Sequence, residues 1–179
     1  MSQSLLFIPD ISGYTEFVKS TEKVHGQQVI AELLEALIEA NTLDMKIAEI
    51  EGDAVFFYLE SELPSMERLL AQVEEMFSGF HSHLKMLDTN RICPCRACVS
   101  AQQLQLKIIA HSADLEFIEV QSNRKPFGQE VIEAHRLLKN SVESNNYVLF
   151  SQELAKRVML PDDYKSKLFQ FQRGGAQYD

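Results

Sequence analysis

Leu5-Leu6-Phe7-Ile8-Pro9-Asp10-Ile11-Ser12-Gly13-Tyr14-Thr15 starts as a short apolar run and is punctuated by Pro9 and Gly13. A run of this length bounded by breakers is the pattern of a buried central strand. Further along, Ile50-Glu51-Gly52-Asp53-Ala54-Val55-Phe56-Phe57 reads as a turn at Glu51-Gly52-Asp53 joining two strands between Met45 and Leu59. The second strand, Ala54-Val55-Phe56-Phe57-Tyr58, is continuously apolar and aromatic, as strands buried on both faces are. Asp10 and Asp53 therefore each stand at a strand end near a glycine. An antiparallel arrangement lets such ends meet, and Mg²⁺ is typically held by one or two carboxylates with phosphate oxygens and water. The turn from Ile11 to Thr15 opens into a helix whose first N–H groups are free to hold a phosphate. Taken singly, each aspartate reads first as a helix or turn cap.

Outward from these strands, Val29, Leu33, Leu34, Leu37 and Ile38 recur at helical spacing between Gln27 and Ala40. Pro64 suits the first turn of a long helix through Leu69, Leu70, Val73, Met76 and Phe77 to near Leu87. Leu104, Leu106, Ile108 and Ala110 alternate along a strand, and a strand at Glu116–Val120 is expected to pair with it. Gln129–Lys139 reads as a helix with Val131, Ala134, His135 and Leu138 inward, and Tyr147–Phe150 and Lys167–Phe171 as the closing strands. The order β-α-β-β-α-β-β-α-β predicts an α+β fold: a ferredoxin-like core, a mainly antiparallel sheet with helices on one face. Residues 1–172 are expected to form one domain, and 173–179 a mobile tail.

The 179 residues allow one domain with a proper core. With 45% hydrophobic and 24% charged residues, the composition is that of a soluble globular protein. A net charge of -9 argues against nonspecific nucleic-acid binding, which needs a basic footprint. No apolar run reaches the length of a membrane span, and no basic stretch leads a hydrophobic signal core, so a cytoplasmic protein is expected.

Phe7–Thr15 and Ile50–Phe57 resemble the first and second metal motifs of the class III nucleotidyl cyclases. Lys107-Ile108-Ile109-Ala110-His111 resembles their next strand. Phe127-Gly128-Gln129-Glu130-Val131 through Ala134, Arg136 and Leu137 resembles the helix carrying the transition-state residues, and Tyr147–Ser151 the strand after it. These matches keep family order over residues 5–155 and are similar to a bacterial cyclase-like subgroup without assigned function. The resemblance implies that Asp10 and Asp53 hold Mg²⁺ or Mn²⁺, and that Ile11, Gly13, Tyr14 and Thr15 line the phosphate site of ATP or GTP. It further implies that Arg136 stabilises the transferring phosphate across the interface of a homodimer. A salt bridge from Arg136 to Glu133 is the plainer reading.

Three positions depart from the family. Ile132 stands where the transition-state asparagine is expected and offers no hydrogen-bonding group. Glu49, four residues before Asp53, replaces the purine-reading lysine, and guanylyl members carry glutamate there. Lys125, three before Gly128, replaces an acid, and the exchanged charges could instead pair across a dimer. One reading is thus a cyclase-like domain that binds metal and nucleoside triphosphate, with cyclic-nucleotide formation (a phosphorus–oxygen lyase reaction) set against Ile132. Another is an inactive dimeric sensor or regulatory module whose acidic site binds metal or nucleotide without turnover. A third is a zinc- or redox-responsive protein in which the loop holding Cys93, Cys95 and Cys98 is the working part. For the family's phosphate-binding lysine, Lys165 and Lys167 are the candidates.

Cys93, Cys95 and Cys98 are the only cysteines and fall in one loop, which excludes a disulfide framework. Three thiolates could supply zinc ligands, with a histidine completing a Cys₃His set. His81 and His83 are nearest in sequence, and His25 and His111 are available through the fold. A redox role and three plain reduced thiols are the competing readings.

Overall fold

The N-terminal apolar run becomes β1 (Ser4–Ser12), and every residue of it is buried. It is buried because it is central: in the computed structural model β1 lies between β3 (Ala54–Leu59) and β4 (Gln105–Ala113), antiparallel to both. The structure describes residues 3–60, 62–90, 93–157, 172–173 and 176–177. The ladder from β1 to β3 runs through Leu5, Leu6 and Phe7 and resumes at Asp10, passing over Pro9, which has no N–H to offer. Outside β3 lies β2 (Lys46–Glu51), and outside β4 lies β7 (Tyr147–Phe150), giving the order β2-β3-β1-β4-β7. The pairs β2–β3, β3–β1 and β1–β4 are antiparallel, and β4–β7 is parallel. The expected α+β class and ferredoxin-like strand order are both present.

Alternation along the central strands sends side chains to two faces. Leu5, Phe7, Val55, Phe57, Leu106 and Ile108 meet the two long helices, α2 (Lys23–Glu39) and α3 (Met66–Asn90), which follow α1 (Tyr14–Ser20) in the chain. Leu6, Ile8, Phe56, Tyr58 and Ile109 meet Ala134 and Leu137 of α5 (Gln129–Leu138) on the other face. The long helices thus share one face as expected, while α5 covers the second. A sheet whose central strands are apolar on both sides needs that second cover.

Gln72 of α3 is fully buried, a polar exception among the apolar positions Leu69, Val73, Met76 and Phe80. Its amide oxygen accepts from the Thr42 N–H (2.7 Å), the Thr42 hydroxyl (3.0 Å) and the Leu43 N–H (3.0 Å). Its amide nitrogen donates to the Ala40 carbonyl at 2.7 Å, so one side chain satisfies the chain leaving α2.

Two further features differ from the sequence expectation. α3 is followed by a short α4 (Arg96–Ser100) and a 3₁₀ turn (Ala101–Gln103) where a loop was expected. β5 (Glu116–Val120) does not pair with β4. It pairs with β6 (Asn123–Phe127) in a separate ribbon, through a turn in which Gln121 and Ser122 both take positive φ. A polar strand containing Pro126 and a turn without glycine gave no hairpin signal. Arg124 anchors that ribbon by a two-pronged pair to Glu60 (2.6 and 2.7 Å) and by stacking over Phe117. Beyond α6 (Gln152–Ala155), β8 (Gln172–Arg173) pairs with β9 (Ala176–Gln177). The strand expected at Lys167–Phe171, and the candidates Lys165 and Lys167, lie outside the described residues.

Candidate functional site

β1 carries Asp10 to the end of the sheet, opposite Ala54 on one side and Lys107 on the other. The β2–β3 hairpin turns through Gly52 and Asp53, with Gly52 at a φ of 34° that suits glycine in a two-residue turn. The Ile11 N–H donates to the Asp53 carbonyl at 2.8 Å, which clamps this turn against the end of β1. The two aspartates are thereby brought to one end of the sheet. Gly13, at a φ of 89°, turns the chain into α1, and Tyr14 lies over the hairpin with its hydroxyl 3.5 Å from where a Cβ on Gly52 would stand.

Asp10 is only 9% exposed. Burial, helped by the negative charges of Asp53 and Glu51, raises its pKa to about 6, although Lys107 opposes the shift. Asp53 is also raised, first by burial and then by Glu51. The Lys107 ammonium lies 3.5 Å from Asp10 Oδ1, the one cation paired with either aspartate among the described residues. A buried and a part-buried carboxylate of like charge at one end of the sheet are a donor set that fits a hard divalent cation. Lys107 was not singled out from sequence. Its signal was a charge between the apolar Leu106 and Ile108, and only the register placed it opposite Asp10.

Glu49, Lys125 and Ile132 also come together. With Ala48, Phe56 and His135 they line a groove of about 260 Å³ between β2, β6 and α5. Lys125 donates to Glu49 at 3.4 Å within the chain, so this charge pair does not need a dimer. His135 is half-buried on the groove wall, its ring edge-on to Phe56 and its Nδ1 4.0 Å from Glu51. Arg136 is exposed, bonds Glu133 at 3.1 Å on its own helix, and is not a groove residue. The Ile11 amide is occupied by Asp53, leaving Gly13, Tyr14 and Thr15 at the start of α1.

The cysteines lie elsewhere, around α4. His25 Nδ1 is 3.1 Å from Cys95 Sγ and 3.6 Å from Cys93 Sγ, and Cys95 and Cys98 sulfurs are 3.4 Å apart. Hydrogen bonds from the Cys98 backbone and His25 lower the Cys95 thiol to about 7, while burial pushes Cys98 up to about 11. His81 and His83 are committed to Asn146 and Glu32, each at 3.2 Å. Buried His111 bonds Glu130 at 2.9 Å and has Glu153 3.9 Å from its other nitrogen. No helix among the described residues is long and apolar enough to cross a membrane.

The sheet order, the crossing helices and the acidic turn define the fold of the class III adenylyl and guanylyl cyclase catalytic domains. The guanylyl cyclase Cya2 superposes with a TM-score of 0.69 at 13% identity, covering 98% of this chain and 87% of its own. The catalytic core of a rhodopsin-guanylyl cyclase with converted specificity, in complex with ATPαS, gives 0.67 at 15% identity, covering 98% and 91%. Within that fold, the chain belongs to the family described as "Protein of unknown function (DUF2652)", whose profile matches residues 30–147. A Mycobacterium tuberculosis relative, "Uncharacterized protein Rv2561/Rv2562", is 30% identical over 127 residues, 71% of this chain. The match spans 59% of that relative's length.

Proposed function

We propose that residues 1–172 act as a cyclase-type domain that binds a divalent cation, Mg²⁺ or Mn²⁺, and the triphosphate of ATP or GTP at Asp10 and Asp53. This reading is supported by two carboxylates at one end of the sheet, from β1 and the β2–β3 turn, which the Ile11 N–H bond to the Asp53 carbonyl (2.8 Å) ties together and burial raises in pKa. A cation bound there would supply neutralising charge and a template for phosphate oxygens. The chain's own residues do the rest. Gly13, Tyr14 and Thr15 present the first N–H groups of α1 to phosphate, and Tyr14 closes over the Gly52 turn. Glu49 and Lys125 meet the base, with the Glu49 carboxylate able to accept from guanine N–H groups once Lys125 swings away.

Binding, not rapid cyclisation, is the output we assign. Ile132 puts an apolar side chain on the groove wall where developing charge would need a donor. Arg136 serves only if a second copy supplies it across a two-fold interface, so a homodimer is part of the proposal. One observation favours a second reading, a retired regulatory module: the Lys107 ammonium already stands against Asp10 and supplies in part the charge a metal would bring.

Equilibrium dialysis with labelled ATP and GTP in Mn²⁺, combined with chromatography for cyclic nucleotide and pyrophosphate, tests these readings. Retention that depends on Mn²⁺ and disappears in the Asp10→Asn/Asp53→Asn double variant supports the first. Retention with no cyclic nucleotide or pyrophosphate released fits a module that binds without turnover, and retention of neither nucleotide rejects nucleotide binding at the acidic end.

A further inference from the structure

Away from the acidic end, three sulfurs and one imidazole nitrogen converge from two distant segments. Cys95 precedes the first turn of α4, and Cys98 lies three residues later inside it, so both thiols share one side of a turn. Cys93 comes from the chain entering that turn, and His25 from the first turn of α2, 70 residues before Cys95. All four ligand atoms lie within 4.8 Å of one another. A tetrahedral zinc with sulfur at about 2.3 Å and nitrogen at about 2.0–2.1 Å requires ligand-to-ligand edges of about 3.5–3.8 Å. Three of the six edges are 3.1, 3.4 and 3.6 Å and none exceeds 4.8 Å, so shifts of a few tenths of an ångström up to about one bring the set to those values.

Neighbouring groups hold the set in place. The Cys95 and Cys98 sulfurs already stand 3.4 Å apart across the first turn of α4. The Glu22 carboxylate, at the start of α2, accepts from the Ala97 N–H (3.2 Å) and the Arg96 N–H (3.4 Å). It thus ties the residues between Cys95 and Cys98 to the helix that carries His25. Three soft thiolates with one imidazole select zinc over magnesium or calcium, and four protein ligands leave no open position for substrate.

We propose that His25, Cys93, Cys95 and Cys98 form a closed, tetrahedral Cys₃His zinc site that staples the segment 93–103 to the beginning of α2. That segment is part of the frame of the acidic site. Ala97 and Ala101 are fully buried. The Gln103 carbonyl and the Leu104 side chain lie 3.8 and 3.7 Å from where a Cβ on Gly13 would stand. Zinc binding accordingly braces the turn that follows Asp10, while the zinc ligands themselves are separate from it.

The test uses the full chain purified without chelator, with metals measured by mass spectrometry and Co²⁺ exchanged for the native ion. The expected result is a single zinc per chain and, after exchange, the intense thiolate charge-transfer and tetrahedral d–d absorption of Co²⁺. The thiols should react sluggishly with a disulfide reagent until a chelator is added. Cys98→Ser and His25→Ala should lose the stoichiometric metal, and Glu22→Gln should keep it with about 10–100-fold weaker affinity. The Asp10→Asn/Asp53→Asn variant should retain its zinc, so failure of the acidic-site reading leaves this one intact. Iron or copper in place of zinc overturns the proposal. So does a Cys95–Cys98 disulfide in the native protein, or zinc-treated wild-type protein that gives no Co²⁺ spectrum and three freely reactive thiols. The wild-type Co²⁺ titration decides the matter even where a cysteine variant does not fold.

Discussion

At the sheet end Asp10 and Asp53 are drawn together with both pKa values raised, whereas in the neighbouring groove Glu49 and Lys125 neutralise one another at 3.4 Å beside Ile132. Glu51 joins the two regions, since its charge raises both aspartates and its carboxylate stands 4.0 Å from His135 of the groove. The difference is energetic. Carboxylates of like charge drawn out of water are costly to keep ionised, and Lys107 offsets that cost only in part, so a divalent cation would be favoured there. A half-exposed ion pair contributes only about 0–1 kcal/mol, and the groove is complete without any ligand. On the proposed reading the acidic end is the half suited to a cation, whereas the groove satisfies its own charges.

The most damaging change to the acidic half should be Asp53→Asn. Truncating one partner of a desolvated charge contact costs about 3 kcal/mol or more, so Mn²⁺ affinity should fall at least ~100-fold by calorimetry. Unchanged affinity would remove the acidic end from the account.

The next effect concerns pH. Asp10 binds its proton more tightly folded (about 6) than unfolded (3.8), so the folded state holds the extra proton between these values. Its contribution to stability is therefore full below the unfolded value and is lost as pH rises through about 6. Without metal, Asp10→Asn should match wild type near pH 4 and exceed it at pH 8 by at most about 2–3 kcal/mol in urea unfolding. Mn²⁺ binding by wild type should weaken as pH falls below about 6, because the cation needs both carboxylates ionised.

Lys107→Met separates the two readings of the site. It leaves Asp10 without its cation and should lower metal-free stability by about 1–3 kcal/mol. The thermal shift produced by Mn²⁺ should then exceed that of wild type. A variant destabilised equally with and without Mn²⁺ would favour the retired module.

The smallest effects belong to the groove. Glu49→Gln should change stability by about 0–1 kcal/mol, and exposed Ile132→Asn by no more than about 0.5 kcal/mol in thermal unfolding. A stability loss of about 2 kcal/mol or more from either change would show the groove to be tightly built after all.

Much of the frame was legible because burial on both faces forces continuous apolar runs, as in Leu5–Ile8 and Ala54–Tyr58. The acidic turn was legible too, since Gly52 and Asp53 stand between two such strands. What sequence left unread depended on register and on long-range contact. Lys107 becomes Asp10's partner only through the β1–β4 pairing. His25 was one of several histidines that could complete the cysteines, and sequence distance favoured His81 and His83. The β5–β6 ribbon escaped notice because it is held by Arg124 and a polar turn, with no apolar alternation to mark it.

The central claim is that the acidic end binds a divalent cation and a nucleoside triphosphate together. Its most direct test is calorimetric titration of wild type and the Asp10→Asn/Asp53→Asn variant with non-hydrolysable ATP and GTP analogues, with and without Mn²⁺. Saturable heat from wild type with at least one analogue, requiring Mn²⁺ and absent from the variant, is the predicted result. Nucleotide binding that persists in the variant or needs no metal, or no binding of either analogue by wild type, would contradict it.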